Sequence, residues 1–205
     1  MRGVPVSEPS IKGAAFQAVP ADVNRLLEQG RLSPEELEVR LTADDLGILA
    51  EKILPGRWYP IETYKRLLDL LVEFEGGGQA EQYLMKRGVD AAKRILAMGI
   101  YDHLEAARRA VERSPSDWCA QVGRVMITLS NAMFSFSQWK FVAYRDSSNP
   151  FSIHVSDAED IPDTTRILLQ GFIEHVFNQF SDAPTRVTSS RPSPESIEYQ
   201  GLREG

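Results

Sequence analysis

Gln138-Trp139-Lys140-Phe141-Val142-Ala143-Tyr144-Arg145, then Asp146-Ser147-Ser148-Asn149-Pro150, then Phe151-Ser152-Ile153-His154-Val155 is the stretch whose reading decides the fold. Its two outer parts alternate in polarity at a period of two, which is what a strand with one buried face requires. The middle five residues are a dense turn signal. The three parts read as a hairpin. His154 alternates out of phase with Phe151, Ile153 and Val155, so it is expected on the other face from theirs.

Downstream, Asp163 opens a helix over 163–181 that carries Ile167, Leu168, Phe172, Ile173, Val176, Phe177 and Phe180. Two more strands, near 185–190 and 195–202, flank Arg191-Pro192-Ser193-Pro194. Strand, strand, helix, strand, strand is a layout in which one amphipathic helix covers one apolar face of a small antiparallel sheet.

Upstream the period is helical. Pro20 opens a helix with Val23, Leu26 and Leu27, stopped by Gly30. Ser33-Pro34-Glu35-Glu36 is a capping box, and Thr42-Ala43-Asp44-Asp45 repeats the start signal for a helix to about Leu54. From Pro60 a stronger helix places Tyr64, Leu67, Leu68, Leu71 and Val72 along one stripe before Gly76-Gly77-Gly78. Further helical patterns cover about 79–97, 99–113 and 116–132. Ile11–Val19 reads as a short strand, and residues 1–10 as a flexible leader. The class expected is α+β: a single domain over 11–205, with a helical section at about 20–132 and a sheet-containing section at about 134–202.

Composition narrows the chemistry. The chain has 205 residues, a net charge of −6 and one cysteine, Cys119. A lone thiol excludes an intramolecular disulfide and a multi-cysteine zinc site. Acidic balance argues against nucleic acid, which needs clustered cations; Arg108, Arg109 and Arg113 are interleaved with Glu105 and Glu112. No apolar run reaches the length of a transmembrane segment, and the N-terminus lacks the apolar core of a signal peptide. The expected address is cytoplasmic.

The β-β-α-β-β order, with Gly171 in Leu168-Leu169-Gln170-Gly171-Phe172-Ile173, resembles the closing unit of the haem nitric-oxide-binding domains, of vinyl-reductase-type small-molecule-binding domains and of TRAPP vesicle-tethering subunits. Trp58-Tyr59-Pro60 before a helix, with Gly88 in a second helix, is also similar to an uncharacterised paralogue family of myxobacteria. The likeness covers about Arg57 to Leu202. It implies the same fold and one of three roles: haem binding, binding of an apolar small molecule, or a protein partner, since one fold hosts many functions.

Each role has candidate residues. His103 is the residue the resemblance offers as an axial haem ligand. The Tyr-x-Ser-x-Arg motif that anchors haem propionates in the relatives is missing, because Tyr144 is followed by Arg145-Asp146-Ser147, so no haem cofactor is expected. Cys119 stands where a TRAPP-like resemblance would put an acyl chain; without a neighbouring cation to lower its pKa it reads as a small hydrophobe. His154 and His175 have no acids at ligand spacing, and no metal site is expected. Gly76-Gly77-Gly78 lies between helices and lacks the Gly-Lys-Ser/Thr of a phosphate loop.

The aromatic set is the remaining candidate. Trp118, Met133, Phe134, Phe136, Trp139, Phe141 and Phe172 would line an apolar pocket between the final helix and the hairpin, with 131–137 at its mouth, or else fill the core there. No nucleophile, base and orienting group recur at readable spacing, so no enzyme is expected. Two readings follow. One is a non-catalytic cytosolic signalling or scaffold protein acting through a protein partner or as a homodimer. The other is a sensory module for an apolar small molecule. A filled core beside Trp139 and Phe172 favours the first, and a cavity there the second.

Overall fold

The computed structural model describes residues 8–99, 115–144, 149–180 and 184–203, with side chains from Cys119 onward in the second stretch. The fold is α+β, with two antiparallel sheets. The chain gathers into two compact units: residues up to Gly77 with 132–136, and residues 78–131 with 137–205.

In the first unit, β1 (Ser10–Lys12) pairs antiparallel with β2 (Trp58–Pro60), Ile11 opposite Tyr59. α1 (Gly13–Phe16), α2 (Ala18–Glu28), α3 (Pro34–Arg40), α4 (Ala43–Ala50) and α5 (Ile61–Glu75) complete it. The expected strand over Ile11–Val19 is therefore only three residues long. Phe16, Val19, Val23 and Leu26 are all buried, and that spacing is a helix face, so burial overrides the short apolar run. Pro20 lies inside the first turn of α2 rather than at its start, where its missing N–H costs nothing. Both capping boxes form, at Ser33/Glu36 and Thr42/Asp45.

Asp45 does more than cap. It is fully buried, yet Arg66 donates to both its oxygens, at 2.6 and 2.9 Å, and the Thr63 hydroxyl donates at 2.6 Å. Burial pushes the carboxyl pKa up; the bonds from Arg66, Thr63 and Thr42 outweigh it and hold the group well below the usual carboxylate range. The carboxylate thus ties the start of α4 to α5. Its contribution is complete above the unfolded aspartate pKa, about 3.9, and is lost as pH falls below that toward the folded value. Asp45→Asn is expected to destabilise by about 2–3 kcal/mol at neutral pH, the scale of charged hydrogen bonds. Urea denaturation at pH 7 and pH 3 should show the gap from the native chain narrowing at the lower pH.

The second unit holds α6 (Ala80–Ala97), α7 (Pro115–Met133, through Asn131), β3 (Gln138–Ala143), β4 (Phe151–Ser156), α8 (Asp163–Phe180), β5 (Thr185–Ser193) and β6 (Ser196–Arg203). The hairpin, the last helix and the last two strands are where the sequence places them. The strand order is β3-β4-β6-β5, so the final strand enters the sheet between its predecessor and the hairpin. Trp139 opposes Val155, which opposes Ile197; Phe141 opposes Ile153, which opposes Tyr199. These rows form the inner face. His154 opposes Lys140 and Glu198 and is exposed on the outer face, as the alternation requires.

α6 and α8 cross backbone to backbone. A Cβ at Gly88 would overlap the Leu168 carbonyl oxygen and the Phe172 nitrogen, and one at Gly171 would overlap the Met85 backbone. Glycine at both positions allows this approach. Among the described residues no helix is long and apolar enough to cross a membrane.

Candidate functional site

The residues expected to line one apolar pocket are shared between the two compact units. Phe134 and Phe136 belong to the first unit, where their rings meet edge to face at 6.1 Å and Phe134 bridges Ile11. Met133 is half-buried there. Trp139, Phe141 and Phe172 belong to the second unit. His103 and the side chain of Trp118 lie outside the described residues.

Within the second unit the space between α8 and the sheet is occupied by rings. Trp139 stacks on Tyr199 at 6.1 Å, and its indole N–H donates to the Ser137 hydroxyl at 2.9 Å. Phe151 stacks on Phe177 at 3.9 Å, and Phe141 lies 5.7 Å from each of them. Gly123 of α7 faces Phe141 so closely that a Cβ there would overlap the ring. Phe172 takes no part in this stack. It is half-buried, with its backbone at the α6 crossing, because residues five apart on a helix point in different directions. Trp139 and Phe141 thus share the inner layer, and Phe172 does not join them.

Cys119 is half-buried, with its sulfur 3.7 Å from the Pro150 carbonyl oxygen. Burial pushes its thiol up to about 11, which leaves almost no thiolate near neutral pH. Tyr199 is wholly buried, and that burial pushes its phenol pKa up as well.

Among the described residues this unit carries at least two concavities. The larger, about 760 Å³, lies where the N-terminal end of α6 meets α8 and β5. Gln82, Met85, Gln170, Glu174, Asn178 and Arg186 are among its walls. Gln170, Glu174 and Asn178 stand four apart on α8 and reach the β5 backbone. This row is the feature that pattern reading missed. Its signal was present as polar residues at i, i+4 and i+8 on a helix otherwise read for its apolar stripe.

The smaller concavity, about 550 Å³, lies on the outer face of the sheet and includes Lys140, His154 and Glu198. Behind it runs a chain of contacts: Tyr144 Oη to Ser152 Oγ at 3.0 Å, Ser152 Oγ to His154 Nε2 at 3.0 Å, and His154 Nδ1 to Glu198 at 3.9 Å. Serine, histidine and glutamate meet here only in space. Ser152 is 3% exposed, and β4 lies between β3 and β6, so its amides are spent on the ladders and none is free to hold an oxyanion. The arrangement fixes the imidazole and has no access for acyl transfer.

Among the described residues no three His, Cys, Asp or Glu side chains gather as a metal site. Within the second unit the described residues leave no place for haem, and His103 lies outside them. The inner layer is filled by Phe141, Phe151 and Phe177. His154 is committed to Ser152 on the solvent face. His175 is half-buried on α8, where burial and then Lys93 hold its imidazole below its usual range.

No family model matches the chain, and no curated protein matches it. Solved structures do match. The Fe(II) unliganded H-NOX protein from K. algicida aligns with a TM-score of 0.59 and 10% identity over 95% of this chain and 97% of that one. A Cs H-NOX mutant with 4-cyano-L-phenylalanine at site 5 aligns with the same score, identity and coverage. A structure described as probing heme distortion in the H-NOX family aligns with a TM-score of 0.54 and 10% identity over 95% of this chain and 96% of that one. At this identity the likeness lies in the backbone: the fold of this chain is that of the H-NOX, or haem nitric-oxide-binding, domains.

Proposed function

We propose that this chain is a non-catalytic sensory module that takes a small molecule and passes the binding event to a protein partner. The observation that carries the reading is the H-NOX fold over 95% of the chain, with TM-scores of 0.59 and 0.60. The matched structures are named for Fe(II) and heme states. The filled aromatic layer and the absent propionate anchors favour a different ligand here.

The cleft of about 760 Å³ at α6, α8 and β5 supports a small polar ligand. It has the size of a ligand site and several convergent polar groups, with the Met85 thioether and Val187 as apolar contacts. An apolar ligand is the alternative, held against the half-buried Phe141–Ala143 edge of β3, next to the buried Trp139. A protein partner for the output joins the scaffold reading to the sensory one. The resemblances to vesicle-tethering subunits and to the myxobacterial family rest on the sequence alone.

Native mass spectrometry of freshly purified protein tests the reading. A small-molecule adduct is expected, and Ala80→Trp, which fills the cleft from the exposed start of α6, should remove it. An adduct that survives Ala80→Trp would move the ligand to the β3 edge. Purified protein without an adduct, and without a thermal shift against a panel of polar metabolites, would sink the sensory reading. Haemin added in excess is expected to give no stoichiometric Soret band. A band that disappears in His103→Ala would show that haem is the ligand after all.

A further inference from the structure

β5 is an edge strand of the four-stranded sheet. An edge strand carries a row of backbone donors and acceptors that a neighbouring strand could use. Here α8 occupies that row. Asn178 accepts from the Thr185 N–H at 2.8 Å and donates to the Thr185 carbonyl at 2.9 Å. Glu174 accepts from the Val187 N–H at 2.8 Å, and Gln170 donates to the Val187 carbonyl at 2.9 Å. Arg166 donates to the Ser189 carbonyl at 3.3 Å. Four side chains spaced by four on a helix therefore meet every second residue of a strand. Thr185, Val187 and Ser189 point these groups away from β6, and a paired strand would meet the same alternation.

We propose that the β5 edge is a masked strand-pairing surface, held closed by Arg166, Gln170, Glu174 and Asn178, whose occupant when the row withdraws is β5 of a second copy. Antiparallel pairing about Val187 would oppose Val187 with itself and Thr185 with Ser189, which brings the outward-facing groups of both strands into register. Arg186 would then oppose Thr188, so no like charges are directly opposed across the pair. Beyond Ser190 the strand is unsuited to pairing. Its register with β6 shifts between Ser190 and Ser193, Pro192 lacks an N–H, and Arg191 is committed to the Ala158, Ile161 and Pro194 carbonyls. The usable edge is short and self-complementary.

The masking row also forms a wall of the cleft, since Gln170, Glu174 and Asn178 line it. A ligand that recruits these groups takes them from β5, and this link rests on the sensory reading above. Input and output would share three side chains. Loss of the row leaves bare edge groups, which a second β5 satisfies as well as α8 does.

The full chain with Gln170→Ala and Glu174→Ala together, which bares both backbone groups of Val187, tests the surface without any ligand. Sedimentation is expected to show the native chain as a monomer and the double variant as a species of twice the mass at raised concentration. Adding Val187→Pro should return it to monomer, because the Val187 N–H faces Glu174 and not β6, so the sheet keeps its own ladder. Circular dichroism checks that each variant is folded, and Glu174→Ala alone serves if the double variant does not fold. A folded variant that stays monomeric at every concentration overturns the proposal, as does a dimer that survives Val187→Pro. Either failure leaves the cleft reading standing, because the ligand is absent from this experiment.

Discussion

Phe177→Ala is expected to be the most damaging truncation in the second unit, costing about 3–5 kcal/mol, the range for a buried phenylalanine. Phe177 is 4% exposed, and its ring lies 3.9 Å from that of Phe151 and 5.7 Å from that of Phe141. Its removal leaves two rings facing a void that the surrounding strands close only in part. Phe172 is the residue of this helix that the sequence puts beside Trp139 in the expected pocket or core. Being half-buried and outside the stack, Phe172→Ala should cost clearly less. His154→Ala, on the outer face, should stay within about 1 kcal/mol. Chemical denaturation of the three variants gives the ranking. If Phe172→Ala proves as costly as Phe177→Ala, the helix is rotated relative to the sheet.

Gly171→Ala is the second large effect, expected at roughly 3 kcal/mol, the upper end for added bulk in a packed site. The methyl group would meet the backbone of Met85 rather than a side chain, so no rotamer change relieves it and the helices must separate. Gly88→Ala would meet the Leu168 and Phe172 backbone in the same way. Alanine ordinarily stabilises a helix interior relative to glycine by about 0.5–1 kcal/mol, so the two effects have opposite signs. Thermal denaturation decides between them. A Gly171→Ala variant that melts at or above the native temperature would mean that α6 and α8 are not held at this distance.

Much of the fold was legible because it rests on local periodicity. The hairpin, the last two strands, the helices of 60–97 and both capping boxes follow from alternation, stripes and turn residues that act over a few positions. The short β1–β2 pair was not legible. Ser10–Lys12 and Trp58–Pro60 are three residues each, too short for a period, and what makes them strands is one another. Gly171 and Gly88 each stand within a helical stretch of the sequence; that they meet is a fact about residues 83 positions apart, and no local pattern records it.

The candidate site divides along the same line. Trp139 and Phe141 were placed correctly on one face of their strand, since side-chain alternation is a property of the strand itself. The single pocket expected from the aromatic set draws on both units, with Phe134 in the first and Phe141 and Phe172 in the second, and within the second Phe172 stays outside the ring stack. The row Gln170, Glu174 and Asn178 has meaning only once β5 lies beside α8. By itself the sequence determined the α+β class, the closing order of strand, strand, helix, strand, strand, and the inward face of the hairpin strands, because these depend on residues a few positions apart. The tertiary structure alone decided that the aromatic layer is filled, that two glycines set the helix crossing, and that polar side chains cover the β5 edge, because each depends on which distant backbones come within a few ångströms.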